Sequence, residues 1–215
     1  MGGLALVVGS HGRSVAVENE GWIVLQRHGD AHYALPHEID HVGSMRRLRD
    51  AGCERVLAIG SVGGLRANLG PGTVVCPDDF IALDAPAVTA LEGVEAHRVP
   101  GFDPDWRAEV VAAFAAAGGE VRDGGIYWQA TGPRLETPAE IRLIAEHADV
   151  IGMTIASEGV AAGELGLRYA AVCMVDNLAN GVAETELTLP ELEATRAANV
   201  AILAKTLDAV LPELS

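Results

Sequence analysis

Polar and glycine-bearing groups recur in this chain at the places where apolar runs stop. Leu4-Ala5-Leu6-Val7-Val8 opens onto Gly9-Ser10-His11-Gly12, and Trp22-Ile23-Val24-Leu25 opens onto Gln26-Arg27-His28-Gly29. Later runs end at Gly60-Ser61-Val62-Gly63-Gly64, at Gly152-Met153-Thr154 and at Asp176-Asn177. Glycines at a strand end let backbone N–H groups come close to an anion, and a guanidinium there adds forked, charge-assisted hydrogen bonds. A second chemistry competes at the same place. Four of the seven histidines fall between His28 and His41. His28 and His32, and His37 and His41, are each four residues apart, and with Asp30 they could form a hydrolase metal site. Gly29 and Pro36 prevent the four from sharing one continuous helix.

The elements that must hold these groups are legible in outline. The runs Leu4–Val8, Trp22–Gln26, Arg55–Ile59, Gly124–Ala130, Val150–Thr154 and Leu167–Val175 read as strands, with one or two more between Thr73 and Ile81. Pro36 marks a helix start, and the pattern predicts a helix over about 37–51, with Ile39, Val42, Met45 and Leu48 on one face. A second helix follows Asp103-Pro104 and runs to about Ala117. Thr137-Pro138-Ala139-Glu140 is a capping-box sequence opening a third, in which Glu140 serves the cap and Arg134 flanks it as an ion-pair partner. A small-residue helix is expected over 157–165, and a long amphipathic one over 190–211. Strands alternating with helices predict an α/β fold: one domain over 1–215, with a mixed, mostly parallel twisted sheet flanked by helices on both faces. In such sheets ligands bind beyond the carboxyl ends of the strands, where the five polar ends converge.

The bulk numbers narrow the partners. The chain has 215 residues, 49% of them hydrophobic, and a formal net charge of −15 from 30 acids and 15 bases. Such a charge repels phosphate backbones, so no nucleic-acid partner is expected. The three cysteines, Cys53, Cys76 and Cys173, are too few and too widely spaced for a disulfide framework or a zinc finger, which fits a reducing cytoplasm. No apolar run reaches membrane-spanning length, and no signal sequence is expected.

Arg27-His28-Gly29 with Pro36, and Gly60 to Leu65, resemble segments of the purine nucleoside phosphorylase and methylthioadenosine (methylthioinosine) phosphorylase family. So do Leu69-Gly70-Pro71-Gly72-Thr73-Val74-Val75, Gly132-Pro133-Arg134-Leu135-Glu136-Thr137-Pro138-Ala139-Glu140, and Ala148-Asp149-Val150-Ile151-Gly152-Met153-Thr154 followed by Glu158. The likeness runs from about Val7 to Asn177. It implies a nucleoside phosphorylase-like fold and a pentosyltransferase that cleaves a purine nucleoside with inorganic phosphate, needing no metal or other cofactor. It also implies a homotrimer or homohexamer, with the region from His97 to Phe102 reaching a neighbour's site. By position, Ser10, Arg27, His28, Thr154 and the backbone N–H near Val62 would meet phosphate. His41, Leu135, Met153 and Glu158 would line the sugar and base. Glu136 and Asn177 would face the base, with Asp176 a candidate acid beside them. A Glu and Asn pair implies a 6-oxopurine: inosine, guanosine or methylthioinosine.

The likeness has departures: His11 follows Ser10 where small residues are usual, Asp176 stands where a Thr is usual, and the first two strands are joined by a shortened segment. An N-ribosyl hydrolase of the same fold and a non-catalytic nucleoside binder therefore remain as alternative readings.

Overall fold

The computed structural model describes residues 3–9, 21–29, 32–183 and 189–214. The long strand β3 (Cys53–Gly64) organises it. Its first half pairs in parallel with β1 (Gly3–Val8), and β1 pairs in parallel with β2 (Trp22–Gln26). Along its other edge β3 pairs in parallel with β9 (Arg168–Leu178), and at its far end, Gly63 and Gly64 pair antiparallel with β8 (Val150–Gly152). The remaining described strands, β4 (Val74–Cys76), β5 (Asp79–Ile81), β6 (Arg122–Asp123) and β7 (Ile126–Gln129), complete a mixed sheet of nine strands among the described residues. β3 and β9 are buried along most of their length, which is why both read as continuous apolar runs in sequence.

Helices cover both faces. On one, α1 (His41–Asp50) and α4 (Ile155–Glu164) press Met45, Leu48, Ile155 and Ala161 against Val56, Ala58 and Val175. On the other, α2 (Pro104–Ala116) and α5 (Leu189–Val210) pack Trp106, Phe114, Leu203 and Leu207 on Leu6, Leu57 and Val172. The Trp106 indole N–H also donates to the Val56 carbonyl at 2.9 Å, so this buried ring satisfies its polar atom on the sheet it covers. The short α3 (Pro138–Ile144) closes a third apolar cluster with Leu65 and Ile151.

Two helix starts differ from expectation. α1 begins at His41, not His37, because the Asp40 carboxylate accepts from the Gly43 amide at 2.8 Å and supplies the cap, while Pro36–Glu38 forms a separate 3-10 turn. α4 begins at Ile155, two residues earlier than expected, separated from the end of β8 only by Met153 and Thr154. The Thr137 box forms as expected: Thr137 Oγ1 accepts from the Glu140 amide, and Glu140 accepts from the Thr137 amide while pairing with Arg134.

Candidate active site

The carboxyl ends of β1, β2, β3, β8 and β9 enclose a cavity of about 170 Å³. Its lining includes Gly9, Arg27, His28, Val62, Leu135, Glu136, Met153, Thr154 and Asn177. Residues as far apart in sequence as Gly9 and Arg196 thus share one small volume. Ser10, His11 and Asp30 lie outside the described residues. Among the described residues no group of three or more His, Cys, Asp or Glu side chains stands close enough to hold a metal ion.

Arg27 is 5% exposed at the end of β2 and is held on three sides. Its Nε donates to Glu158 Oε1 at 2.5 Å, Nη2 to Glu158 Oε2 at 2.8 Å, and Nη1 to the Ile59 carbonyl at 2.7 Å. Burial disfavours charge on both partners, but their mutual attraction wins: the Arg27 pKa is raised and that of Glu158 is lowered. Next to it, His28 Nδ1 lies 2.8 Å from the Ala34 carbonyl. A carbonyl only accepts, so Nδ1 carries the hydrogen. The His28 ring stacks on Tyr33 at 4.6 Å between centroids.

Thr154 sits between β8 and α4. Its side chain makes no capping bond to α4. Instead the Thr154 and Ile155 amides donate to the Tyr127 hydroxyl at 3.2 and 3.3 Å. The amides at the head of α4 are thus bound by β7, those of Thr154 and Ile155 by Tyr127 and that of Ser157 by Gln129 Oε1 at 2.9 Å, while Thr154 itself lines the cavity. Met153 is set against Gly132, whose φ of +64° and missing side chain both matter: a Cβ there would lie 2.5 Å from the Met153 sulfur.

Glu136 is half-buried, and burial is the main cause of its raised pKa. Asn177 owes its place to a bulge. The β3–β9 register runs Val62 to Val175 and then Gly63 to Asn177, leaving Asp176 without a register partner. The extra residue turns Asp176 toward α5, where its carboxylate accepts from Ser61 Oγ and from Asn199 Nδ2 (2.7 Å) and lies 3.5 Å from Arg196 Nε. Asn177 lines the cavity, its Nδ2 donating to the Leu178 carbonyl at 2.8 Å.

Three expected site residues do not line this cavity. Asp176 is 4% exposed and lines a small neighbouring space of about 60 Å³ with Arg196 and Asn199, so its carboxylate is spent on α5 and not presented as an acid. Glu158 is 1% exposed and both its oxygens are engaged by Arg27, with the Tyr169 hydroxyl donating at 2.8 Å, so it is not placed to meet a sugar. His41 lines an adjoining space of about 230 Å³ with Gln129, Thr131 and Ser157; Met153 and Pro36 border both spaces. Among the described residues its Nδ1 has no hydrogen-bond partner, and burial lowers its pKa. Conversely, Arg196 of α5 lines the main cavity unforeseen. Position 196 lies in a helix that sequence treats only as an amphipathic cover, and no local motif marks it.

A family model described as the phosphorylase superfamily matches residues 6–212. The chain belongs to this superfamily. It is 39% identical over 170 residues to a protein of Archaeoglobus fulgidus named probable 6-oxopurine nucleoside phosphorylase, covering 79% of this chain and 70% of that one. It is 35% identical over 176 residues to a protein of Xanthomonas campestris pv. campestris named probable S-methyl-5'-thioinosine phosphorylase, covering 78% and 70%. The crystallised methylthioadenosine phosphorylase of Schistosoma mansoni in complex with adenine shares the fold, with a TM-score of 0.86 at 19% identity over 100% of this chain and 92% of that one. The mixed α/β sheet of this superfamily member is thus the expected nucleoside phosphorylase-like fold.

Proposed function

We propose that this chain is a pentosyltransferase that cleaves a 6-oxopurine nucleoside (inosine, guanosine or methylthioinosine) with inorganic phosphate, releasing the free base and a sugar 1-phosphate. The observation that carries this reading is the gathering of Arg27, His28, Val62 and Thr154 with Glu136, Met153 and Asn177 around one cavity. Phosphate is held by the Arg27 guanidinium, His28, Thr154 at the head of α4 and the backbone near Val62; Ser10 is the further phosphate residue that the resemblance implies. A phosphate oxygen forms a bond to the anomeric carbon as the bond to the base nitrogen breaks, and the electron pair leaves with the purine. Holding the nucleophile in line and stabilising charge on the departing base are the main tasks of such a site. Met153 and Leu135 pack against sugar and base. Glu136 accepts the ring N–H of a 6-oxopurine, and Asn177 offers its amide to the same base. The names of the relatives at 33–39% identity support the 6-oxopurine class. No cofactor beyond inorganic phosphate enters this reading.

The reading extends to assembly and place. A groove of about 680 Å³, bordered by Phe80, Pro86, Val88, Val99 and Val160, runs beside the strap formed by residues 82–101. Leu83, Val94 and Val99 of that strap are 84, 82 and 98% exposed, which supports a homotrimer in which this apolar surface is covered by a second copy. Phe102 is tucked against Tyr169 in the same chain, so the strap residues before it are the better donors to a neighbour. No helix among the described residues is long and apolar enough to cross a membrane. Three free, buried cysteines suit a reducing cytoplasm.

The test is base release from inosine, guanosine and methylthioinosine with and without phosphate. Strict phosphate dependence is expected. Turnover at the same rate without phosphate identifies an N-ribosyl hydrolase, and binding without turnover identifies a carrier; either sinks the proposal. Arg27→Ala is expected to raise the KM for phosphate more than that for nucleoside.

A further inference from the structure

Arg27 and Glu158 lie 131 positions apart, and the fold closes them into a two-bond fork. Of the five N–H donors on a guanidinium, Glu158 takes two and the Ile59 carbonyl one. One hydrogen remains on each terminal nitrogen. The planar fork leaves these two donors a fixed direction, which a lysine ammonium on a flexible stem could not reproduce. Glu158 is itself braced: the Tyr169 hydroxyl donates to Oε2 at 2.8 Å, and Tyr169 is 1% exposed beneath Phe102. Glu158 also lies one turn into α4, its amide donating to the Thr154 carbonyl at 3.1 Å. A single helical turn therefore ties the spacing of Thr154, at the cavity, to that of the group gripping Arg27.

We propose that Glu158 is a positioning residue for the anion clamp. Its carboxylate, braced by Tyr169, fixes the Arg27 guanidinium so that the two remaining donors face the cavity, and its charge leaves the Arg27 pair neutral before the anion enters. The role rests on the phosphorolysis reading for the identity of the anion. It differs from a sugar-binding role, which would move the nucleoside parameters. It also differs from a purely structural role, which would act whether or not Arg27 is present. A buried ion pair whose partner is removed leaves an uncompensated charge, so the guanidinium of a Glu158 variant will relax toward other acceptors or water.

The experiment compares wild type, Glu158→Gln, Tyr169→Phe, Arg27→Ala and the Arg27→Ala/Glu158→Gln double variant. Steady-state kinetics are run with phosphate and inosine each varied at saturation of the other, and phosphate binding is measured by calorimetry on the same proteins. Glu158→Gln is expected to raise the KM and Kd for phosphate about tenfold or more, by the precedent of groups that orient a ligand-binding side chain, with the inosine KM unchanged. Tyr169→Phe, which preserves packing, is expected to raise the phosphate KM about two- to tenfold, the worth of one hydrogen bond. In the Arg27→Ala background, Glu158→Gln is expected to add nothing. Equal rises in phosphate and inosine KM, multiplicative effects in the double variant, or an unaltered phosphate KM in Tyr169→Phe would each overturn the proposal. Should Glu158→Gln fail to fold, Tyr169→Phe decides alone. Phosphate-independent turnover by the wild type would overturn the phosphorolysis reading instead, and the calorimetric series would still decide whether Glu158 orients Arg27 toward an oxyanion.

Discussion

Tyr127→Phe removes a single oxygen atom from a site where the structure gives it two tasks. The side chain is 1% exposed on β7, and its hydroxyl accepts from the first amides of α4, Thr154 N at 3.2 Å and Ile155 N at 3.3 Å. The first amides of a helix have no partner within it, and Thr154 does not supply a side-chain cap. Phenylalanine therefore leaves two buried donors without an acceptor. Orphaning a buried donor costs about 1–3 kcal/mol, and because both bonds are at the long end of the range the lower figure applies to each, giving about 2 kcal/mol in total. For a domain of this size, that corresponds to a fall in Tm of roughly 4–8 °C. The assay is thermal unfolding by circular dichroism at fixed protein concentration without phosphate, since ligand and assembly both shift Tm. Gly152→Ala attacks the same bonds from the other side: its Cβ would stand 2.5 Å from the phenolic oxygen. The double variant should lose less than the sum of the two, because removing the oxygen relieves part of the clash. A Tm fall below about 1 °C in Tyr127→Phe would refute the capping role on which this magnitude rests.

Other outcomes follow from the site. Glu158 has a lowered pKa because attraction to Arg27 outweighs its burial, so its stabilisation is present above about pH 4.5 and is lost as pH falls through its depressed value; Glu158→Gln should therefore show a shallower loss of Tm between neutral pH and pH 3 than the wild type. Glu136 has the opposite shift, raised by burial, so it takes up its proton at higher pH than an ordinary carboxyl. If it must accept a ring N–H, kcat/KM for inosine falls as pH drops through that raised value, and Glu136→Gln should lack this limb; an acid limb that survives the substitution would argue against the role. Asn177→Asp loses the donor to the Leu178 carbonyl and presents an acceptor to the base, so the inosine-to-adenosine kcat/KM ratio should fall by about tenfold. An unaltered ratio would count against Asn177 as the base-reading group.

What sequence reveals here is local. Trp22–Gln26 is a strand in pattern and in fact, and the Thr137 box was readable because its two bonds join residues three apart. The ends of β1, β2, β3 and β9 are readable as a set because parallel strands bring their carboxyl edges together, whereas β8, antiparallel to β3, reaches the cavity only by pairing with the far end of β3. The start of α1 is not legible in sequence because two helix-start signals stand close together, Pro36 and Asp40, and only the reach of the Asp40 carboxylate to Gly43 decides between them. Sequence does not reveal the surroundings of Glu158 and Asp176 for a different reason. Their partners, Arg27 for one and Ser61, Asn199 and Arg196 for the other, are set by how α4 and α5 dock on the sheet. The bulge that separates Asp176 from Asn177 has no signature in the residues Val175 to Leu178. Position alone cannot say which of two adjacent polar residues faces a ligand.

The carbonyl that Arg27 reaches belongs to Ile59 on β3, two strands away from its own, since β1 lies between them. Among the described residues β2 pairs with β1 alone, so this side chain also bolts the outermost strand to the middle of the sheet. Evolvability is constrained in consequence. A lineage drifting toward water as nucleophile would lose its need for an oxyanion clamp, yet discarding the arginine would unfasten a sheet margin at the same time. Such a lineage must first acquire another fastening for β2, or keep an arginine whose original chemical purpose has gone. A guanidinium retained at position 27 in a relative would then record the architecture it supports.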